Sequence, residues 1–274
     1  PLSLVGSEMC IRDRIYNWTR LAIECDVKCD TGSDCEIIIH LYKKYGAKQT
    51  LQMLDGVFAF ILYDQEKDCI FIARDSLGVR PMFIWEPEKN SENSCFGIAS
   101  EVKMANGLLP HSPKPFLPGH LILTSLKNID LTRNRFYDNN SFENNTINSE
   151  EQCLQIIKSS LQDAVRKRVD NTDREIACLL SGGLDSSLVT ALVVKEYVMR
   201  NGITSSTDVH TWSIGMEGSD DLKYARMVAN HLRTTHHEIK LSEKDFIDAI
   251  PEVIYTIETN DTTSIRASVG NYLI

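Results

Sequence analysis

Two styles of apolar patterning divide the chain. From residue 150 onward, apolar runs of strand length alternate with longer stretches of helical period. They predict a helix over 150–169, a strand over 175–180, a helix over 184–199 and a strand over His210–Met216. A helix over Asp221–Leu232, a strand over His236–Lys240 and a helix from Ser242 through Glu258 follow, with Pro251 opening a second helix inside that last stretch. The chain stops inside a further helical run, 264–274, which reads as a truncation. Alternating strands and helices predict an α/β doubly wound parallel sheet with right-handed crossovers. The run 175–180 reads as a strand buried on both faces, and Leu184, Leu188 and Leu192 as the inner stripe of the helix after it.

The first half is patterned differently. Residues 1–14 fit neither a helix face nor a strand alternation. A helix is expected from Cys35 to Lys44, capped by Thr31-Gly32-Ser33-Asp34 and closed by Gly46, and a shorter one around Gln49–Leu54. Phe58–Tyr63 and Cys69–Asp75 read as a hairpin, with further strands at Pro81–Trp85, Ser94–Ser100 and His120–Thr124. Short strands beside two helices predict an α+β domain with antiparallel sheets. The polar, asparagine-rich stretch 138–150 is the expected linker, which gives domains at 15–137 and 151–274.

Composition narrows the class. With 274 residues, 42% apolar and 24% charged, the chain is long enough for two globular cores. A net charge of −9 argues against a nucleic-acid or anionic-membrane surface, and no run approaches a membrane span. Eight scattered cysteines without a Cys-x-x-Cys pair predict reduced thiols in the cytosol rather than a disulfide frame or a zinc site.

The most specific chemistry is Ser181-Gly182-Gly183-Leu184-Asp185-Ser186-Ser187. A strand, a glycine turn and a helix N-terminus bring free amides and the positive end of the helix dipole to one point, a geometry that binds phosphate oxygens. No Gly-x-x-x-x-Gly-Lys-Ser/Thr occurs, so this is not the mononucleotide P-loop. The bland reading is a tight turn with ordinary N-capping. The string resembles the pyrophosphate loop of ATP-pyrophosphatases, which cleave ATP between the α and β phosphates. That resemblance implies ATP and Mg2+ as cofactors, with Asp185 as the metal partner.

Further blocks extend the resemblance. Ile15-Tyr-Asn17, Thr31–Glu36, Leu54–Phe60, Arg74–Pro81 and Ala99–Lys103 resemble the class II glutamine amidotransferase domain. Trp212–Met216, Ala229–Leu232, His236–Glu238 and Ile257–Ser268 complete a likeness to the asparagine synthetase family, from Ile15 to Ile274. It implies an incomplete Ntn-hydrolase-like domain before a truncated adenine nucleotide α-hydrolase-like domain. The implied chemistry takes aspartate, glutamine and ATP through β-aspartyl-AMP to asparagine, AMP and pyrophosphate, in a cytosolic homodimer. Leu179 and Ile214 would border adenine, or simply fill the core. Ser181, Gly182, Gly183, Asp185 and Ser186 would hold phosphate and metal. Thr263 and Arg266 would serve aspartate activation, although a helix-surface arginine is the plain alternative. Asp34 would bind the α-amino group of glutamine, unless it merely caps the helix. The adjacent His236 and His237 point to opposite faces of a strand and read as structural.

The chain departs from the family at both ends. The glutaminase nucleophile belongs at a true N-terminus, well before Ile15, so that cysteine is expected to be absent and Cys10 has no catalytic role. Residues 1–14 are expected to be a non-native leader. The second nucleotide loop is expected beyond Ile274, so glutaminase and complete synthetase activity are not expected of this chain. The rival readings are a β-lactam-forming or peptide-amidating relative, and a non-catalytic fragment.

Overall fold

In Ala59–Asp64 (β5) alternate side chains enter two different cores, Phe60 and Leu62 on one face and Ala59 and Ile61 on the other; Cys69–Arg74 (β6) repeats this with Phe71 and Ala73 against Ile70 and Ile72. The two strands pair antiparallel from Ala59↔Arg74 to Asp64↔Cys69. Asp64 closes their turn by accepting the amides of Glu66 and Lys67 at 3.1 and 3.2 Å. The expected hairpin is therefore present. In the computed structural model the described residues are 2–4, 7–11, 13–87, 95–105, 107, 112–137, 149–172, 174–202 and 206–274. They form two units, Pro1–Asn145 and Thr146–Ile274. Most of the expected linker, residues 138–148, and part of the expected strand at Ser94–Ser100 lie outside the described residues.

The hairpin is the middle of a six-stranded sheet. Ser7–Ile11 (β2) and Leu2–Leu4 (β1) extend it on one side, and His120–Ser125 (β10) and Asn134–Arg135 (β11) on the other. Every pairing in it is antiparallel. The helices Trp18–Glu24 (α1), Glu36–Tyr45 (α2) and Ala47–Met53 (α3) cover one face. There Ile37, Ile38 and Leu41 of α2 are fully buried with Phe60, Leu62 and Phe71, and Tyr42 stacks on Phe71 at 5.5 Å. The other face packs Ile72 and Ile122 against Ile84 and Phe116, from a small sheet of Phe83–Trp85 (β7), Gly97–Ala99 (β8) and Lys114–Pro115 (β9). Arg14–Ile15 (β3) pairs with Gly56–Val57 (β4).

Three expectations fail in this unit. Residues 2–4 and 7–11 are stranded, and β2 lies beside β5 from Ser7↔Asp64 to Ile11↔Phe60. β2 is paired on both sides, by β1 and β5, and backbone pairing of this kind holds a strand whose apolar alternation is weak. Helix α1 was not expected, because it is short and buries only Leu21 fully. The 31–34 segment does not supply the N-cap of α2; that position is Cys35, whose side chain makes no capping hydrogen bond, although Ser33 Oγ accepts the Cys35 amide at 3.3 Å.

The second unit follows the predicted alternation: Glu150–Asp170 (α4), Ala177–Leu179 (β12), Leu184–Asn201 (α5), His210–Gly215 (β13), Asp220–Leu232 (α6), Thr235–Lys240 (β14), Glu243–Ile257 (α7) and Thr262–Leu273 (α8). The three strands are parallel, in the order β12-β13-β14. Helices lie on both faces of this sheet. Helix α6 meets the face carrying His236 and Glu238, through the Arg226–Glu238 pair and the packing of Ala225 and Ala229 on Leu180. On the opposite face Gly270 of α8 lies against Ile214, where an added Cβ would stand 3.7 Å from Cγ2. Among the described residues no helix is long and apolar enough to cross a membrane.

Three expectations are corrected here. The strand at 175–180 is not buried on both faces. It is an edge strand, with Ala177 exposed and Leu179 54% exposed, because order in the sheet and not apolarity decides coverage. Of the expected inner stripe of α5, Leu184 and Leu188 are exposed, at 82% and 46%, and Leu192 is half-buried. Pro251 opens no new helix. Helix α7 runs through it unbroken, held at its start by a reciprocal capping box between Ser242 and Asp245.

Candidate nucleotide and glutamine sites

The loop Ser181–Ser187 joins β12 to α5. It is anchored at its base by buried Leu180, whose amide donates to the Trp212 carbonyl at 2.8 Å. Gly182 then turns through φ +80, and a Cβ there would stand 2.5 Å from the Ala225 nitrogen and 2.6 Å from the Tyr224 carbonyl carbon. Helix α6 therefore demands this glycine as firmly as any ligand does. Gly183 is the N-cap of α5 and lies in open surroundings, with only Ser181 Oγ within reach, at 3.4 Å.

Within the loop, Ser186 Oγ donates to the Gly183 carbonyl at 3.2 Å, accepts from the Ser181 amide at 3.3 Å and stands 3.0 Å from Ser181 Oγ. The Gly183 amide reaches Ser181 Oγ at 3.4 Å. These bonds are long, and a phosphate oxygen would compete with them. The amides of Gly182, Leu184, Asp185 and Ser186 have no protein acceptor among the described residues. They belong to the turn and first helical turn, where backbone donors go unused by the helix itself. Asp185 is exposed in that first turn, where its charge also favours the helix dipole.

Leu179 pairs with Trp212, and Ile214 lies two residues further along β13, so both share the face that meets α8. Thr263, Arg266 and Gly270 recur at helical spacing on one side of α8, with Thr263 and Arg266 exposed. The positions singled out for adenine and for aspartate activation thus share one side of the sheet. Leu179 and Ile214 lie at the carboxyl ends of their strands, where open α/β sheets bind ligands. His236 and His237 take opposite faces. His236 contacts Thr211 and Ser213 through its ring nitrogens, whereas His237 pairs with His210 at 2.8 Å and stacks on Trp212 at 4.2 Å.

In the first unit Asp34 does not cap α2. Its Oδ2 accepts the Ile15 amide at 2.8 Å and lies 3.8 Å from Arg14 Nε, and among the described residues Oδ1 has only a long contact from Cys35 Sγ at 3.6 Å. Burial, then the charges of Asp34 and Asp13, push the Cys35 thiol up, so it stays protonated. What holds the 30–34 segment is Glu36, a residue not singled out in the sequence. Its carboxylate is 1% exposed and accepts the amides of Asp30 and Thr31 at 2.8 and 2.7 Å and the Thr31 hydroxyl at 2.5 Å. Burial opposes its ionisation, but these bonds prevail and bring its pKa to about 2. The pattern Ser33-x-x-Glu36 was a signal, although a capping box would have sent the carboxylate to Ser33 instead.

Residues 6–114 match the glutamine amidotransferase domain family, and residues 157–274 match the asparagine synthase family. Asparagine synthetase [glutamine-hydrolyzing] of Cricetulus griseus is 40% identical over 97% of this chain and 49% of its own length. The protein of the same name from Homo sapiens is 38% identical over the same shares. The chain thus spans about half the length of the curated relatives it matches. Among solved structures, a Bacillus subtilis glutamine phosphoribosylpyrophosphate amidotransferase aligns at 14% identity and a TM-score of 0.42, over 96% of this chain and 72% of that one. The chain thus carries a glutamine amidotransferase domain followed by an asparagine synthase domain, and over 97% of its length it is similar to glutamine-hydrolysing asparagine synthetases.

Proposed function

We propose that this chain takes part in ATP-dependent synthesis of asparagine from aspartate, with ammonia drawn from glutamine and with AMP and pyrophosphate released. The observation that carries the reading is the loop at 181–187, with four uncommitted amides at the start of α5 and Arg266 on the sheet face shared by Leu179 and Ile214. A carboxylate is a poor acyl donor until a leaving group is attached to it, so the β-carboxylate of aspartate attacks the α-phosphate and ammonia then displaces AMP. The amides of Gly182, Leu184, Asp185 and Ser186 hold the departing diphosphate, and the Ser181 and Ser186 hydroxyls add donors. Arg266 offsets the charge that builds on the α-phosphate, and the Thr263 hydroxyl orients the attacking carboxylate. Leu179 and Ile214 border the adenine.

Asp185, exposed in the first turn of α5, fits Mg2+, which binds through one or two carboxylates together with phosphates and water. When bound, that ion would neutralise diphosphate charge. Asp34, with Oδ1 turned from its backbone bond, suits the α-amino group of glutamine. A cytosolic homodimer belongs to the same proposal and is supported by family likeness alone.

The test is aspartate-dependent ATP–pyrophosphate exchange, run on this chain and on the full-length gene product. Arg266→Ala should reduce exchange by about 100-fold or more. Exchange that ignores aspartate, or that survives Arg266→Ala, would overturn the reading.

A further inference from the structure

Cys29, Glu36 and His40 meet in the first unit, and their ligating atoms lie within 4.8 Å of one another. Glu36 and His40 stand one turn apart on α2, so both side chains leave the same side of the helix. Cys29 comes from the irregular segment that precedes it. The Glu36 carboxylate is fixed by Asp30 and Thr31, which occupy one acceptor position of Oε1 and both of Oε2. Its last acceptor position faces His40 Nε2 at 3.3 Å, a separation too long for a strong hydrogen bond.

We propose that Cys29 Sγ, Glu36 Oε1 and His40 Nε2 form a site for one divalent ion of the zinc class, with water in the fourth position. Thiolate, imidazole and carboxylate together are a zinc donor set; magnesium and calcium prefer oxygen alone. Zinc bonds of about 2.0–2.3 Å set tetrahedral ligands about 3.3–3.8 Å apart. The three atoms therefore need to close by about 1 Å or less, which the irregular segment at Cys29 permits. On binding, the Cys29 thiol releases its proton to solvent, and thiolate and carboxylate together balance the charge of the ion. The Asp30 and Thr31 amides then act as the outer partners that orient a metal-bound carboxylate. No Cys-x-x-Cys spacing announces such a mixed site, which is why the sequence pointed away from zinc. The site does not depend on the proposed reaction. It would pin the segment that ends at Asp34 to the helix behind it.

Cobalt titration of the chelator-treated chain tests this. One equivalent of Co2+ should give a thiolate-to-metal charge-transfer band that Zn2+ displaces. Cys29→Ser should abolish the band, His40→Ala should weaken binding by about tenfold or more, and Cys153→Ser should change neither. In the unaltered chain, stoichiometric Zn2+ should protect Cys29 from alkylation, as located by peptide mass mapping. Absence of the band, its survival in Cys29→Ser, or unprotected Cys29 would overturn the proposal.

Discussion

At residue scale, the two glycines of the nucleotide loop look alike in sequence and differ in what surrounds them. Gly182 has a positive φ and backbone atoms of α6 at 2.5 and 2.6 Å from where a Cβ would sit, whereas Gly183 has open space. Gly182→Ala should destabilise the second unit by about 2 kcal/mol or more, and Gly183→Ala by less than about 1 kcal/mol. Urea unfolding of both variants checks this, and equal losses would contradict it. Asp64 offers a second test. Burial opposes its ionisation, but the Lys67 amide and ammonium and the Tyr42 hydroxyl hold its carboxyl below the ordinary range. A depressed carboxyl contributes stability that is complete above the unfolded pKa of about 3.9 and is lost as pH falls through the lower folded value. Asp64→Asn should therefore flatten the acid side of the stability profile of the first unit, measured by urea midpoints between about pH 6 and 3. An unchanged slope would remove Asp64 from that account.

Helix starts supply the contrast at element scale. Ser242 caps α7 reciprocally with Asp245, so Ser242→Ala should cost about 1 kcal/mol. Ser219 holds the same position before α6, yet its buried hydroxyl finds no partner among the described residues. Ser219→Ala should be neutral or slightly stabilising, because it removes an unpaired polar atom. Thermal melts of the two variants should diverge accordingly. The sequence carried the elements wherever period and punctuation agreed: the 59–74 hairpin, α2 and the strand–helix alternation after residue 150. It misled where coverage decides. An apolar stretch such as 177–179 says that a strand wants cover, whereas its edge position determines how much it receives. The loop at 181–187 was legible because glycines and capping residues act through local backbone. Glu36 was not, because its partners Asp30 and Thr31 come together only when the preceding segment folds back.

At the scale of the molecule, apolar exposure is unevenly spread. In the second unit Leu154 and Ile157 of α4, Leu184 and Leu188 of α5, and Ile247, Ile250 and Ile254 of α7 are all exposed, at helical spacing. Such stripes favour association. Sedimentation velocity on residues 149–274 alone should reveal concentration-dependent self-association that weakens when Leu154 and Ile157 are both changed to Ser; a monomer at all concentrations would count against it. The contact beneath Gly182 has a wider consequence. Main chain rests on main chain there, with the Tyr224 Cβ wedged beside it, so the anion cradle and this part of α6 must shift together or not at all. A nucleotide that tightens the cradle should then slow deuterium uptake at Tyr224 and Ala225, residues that need not touch it.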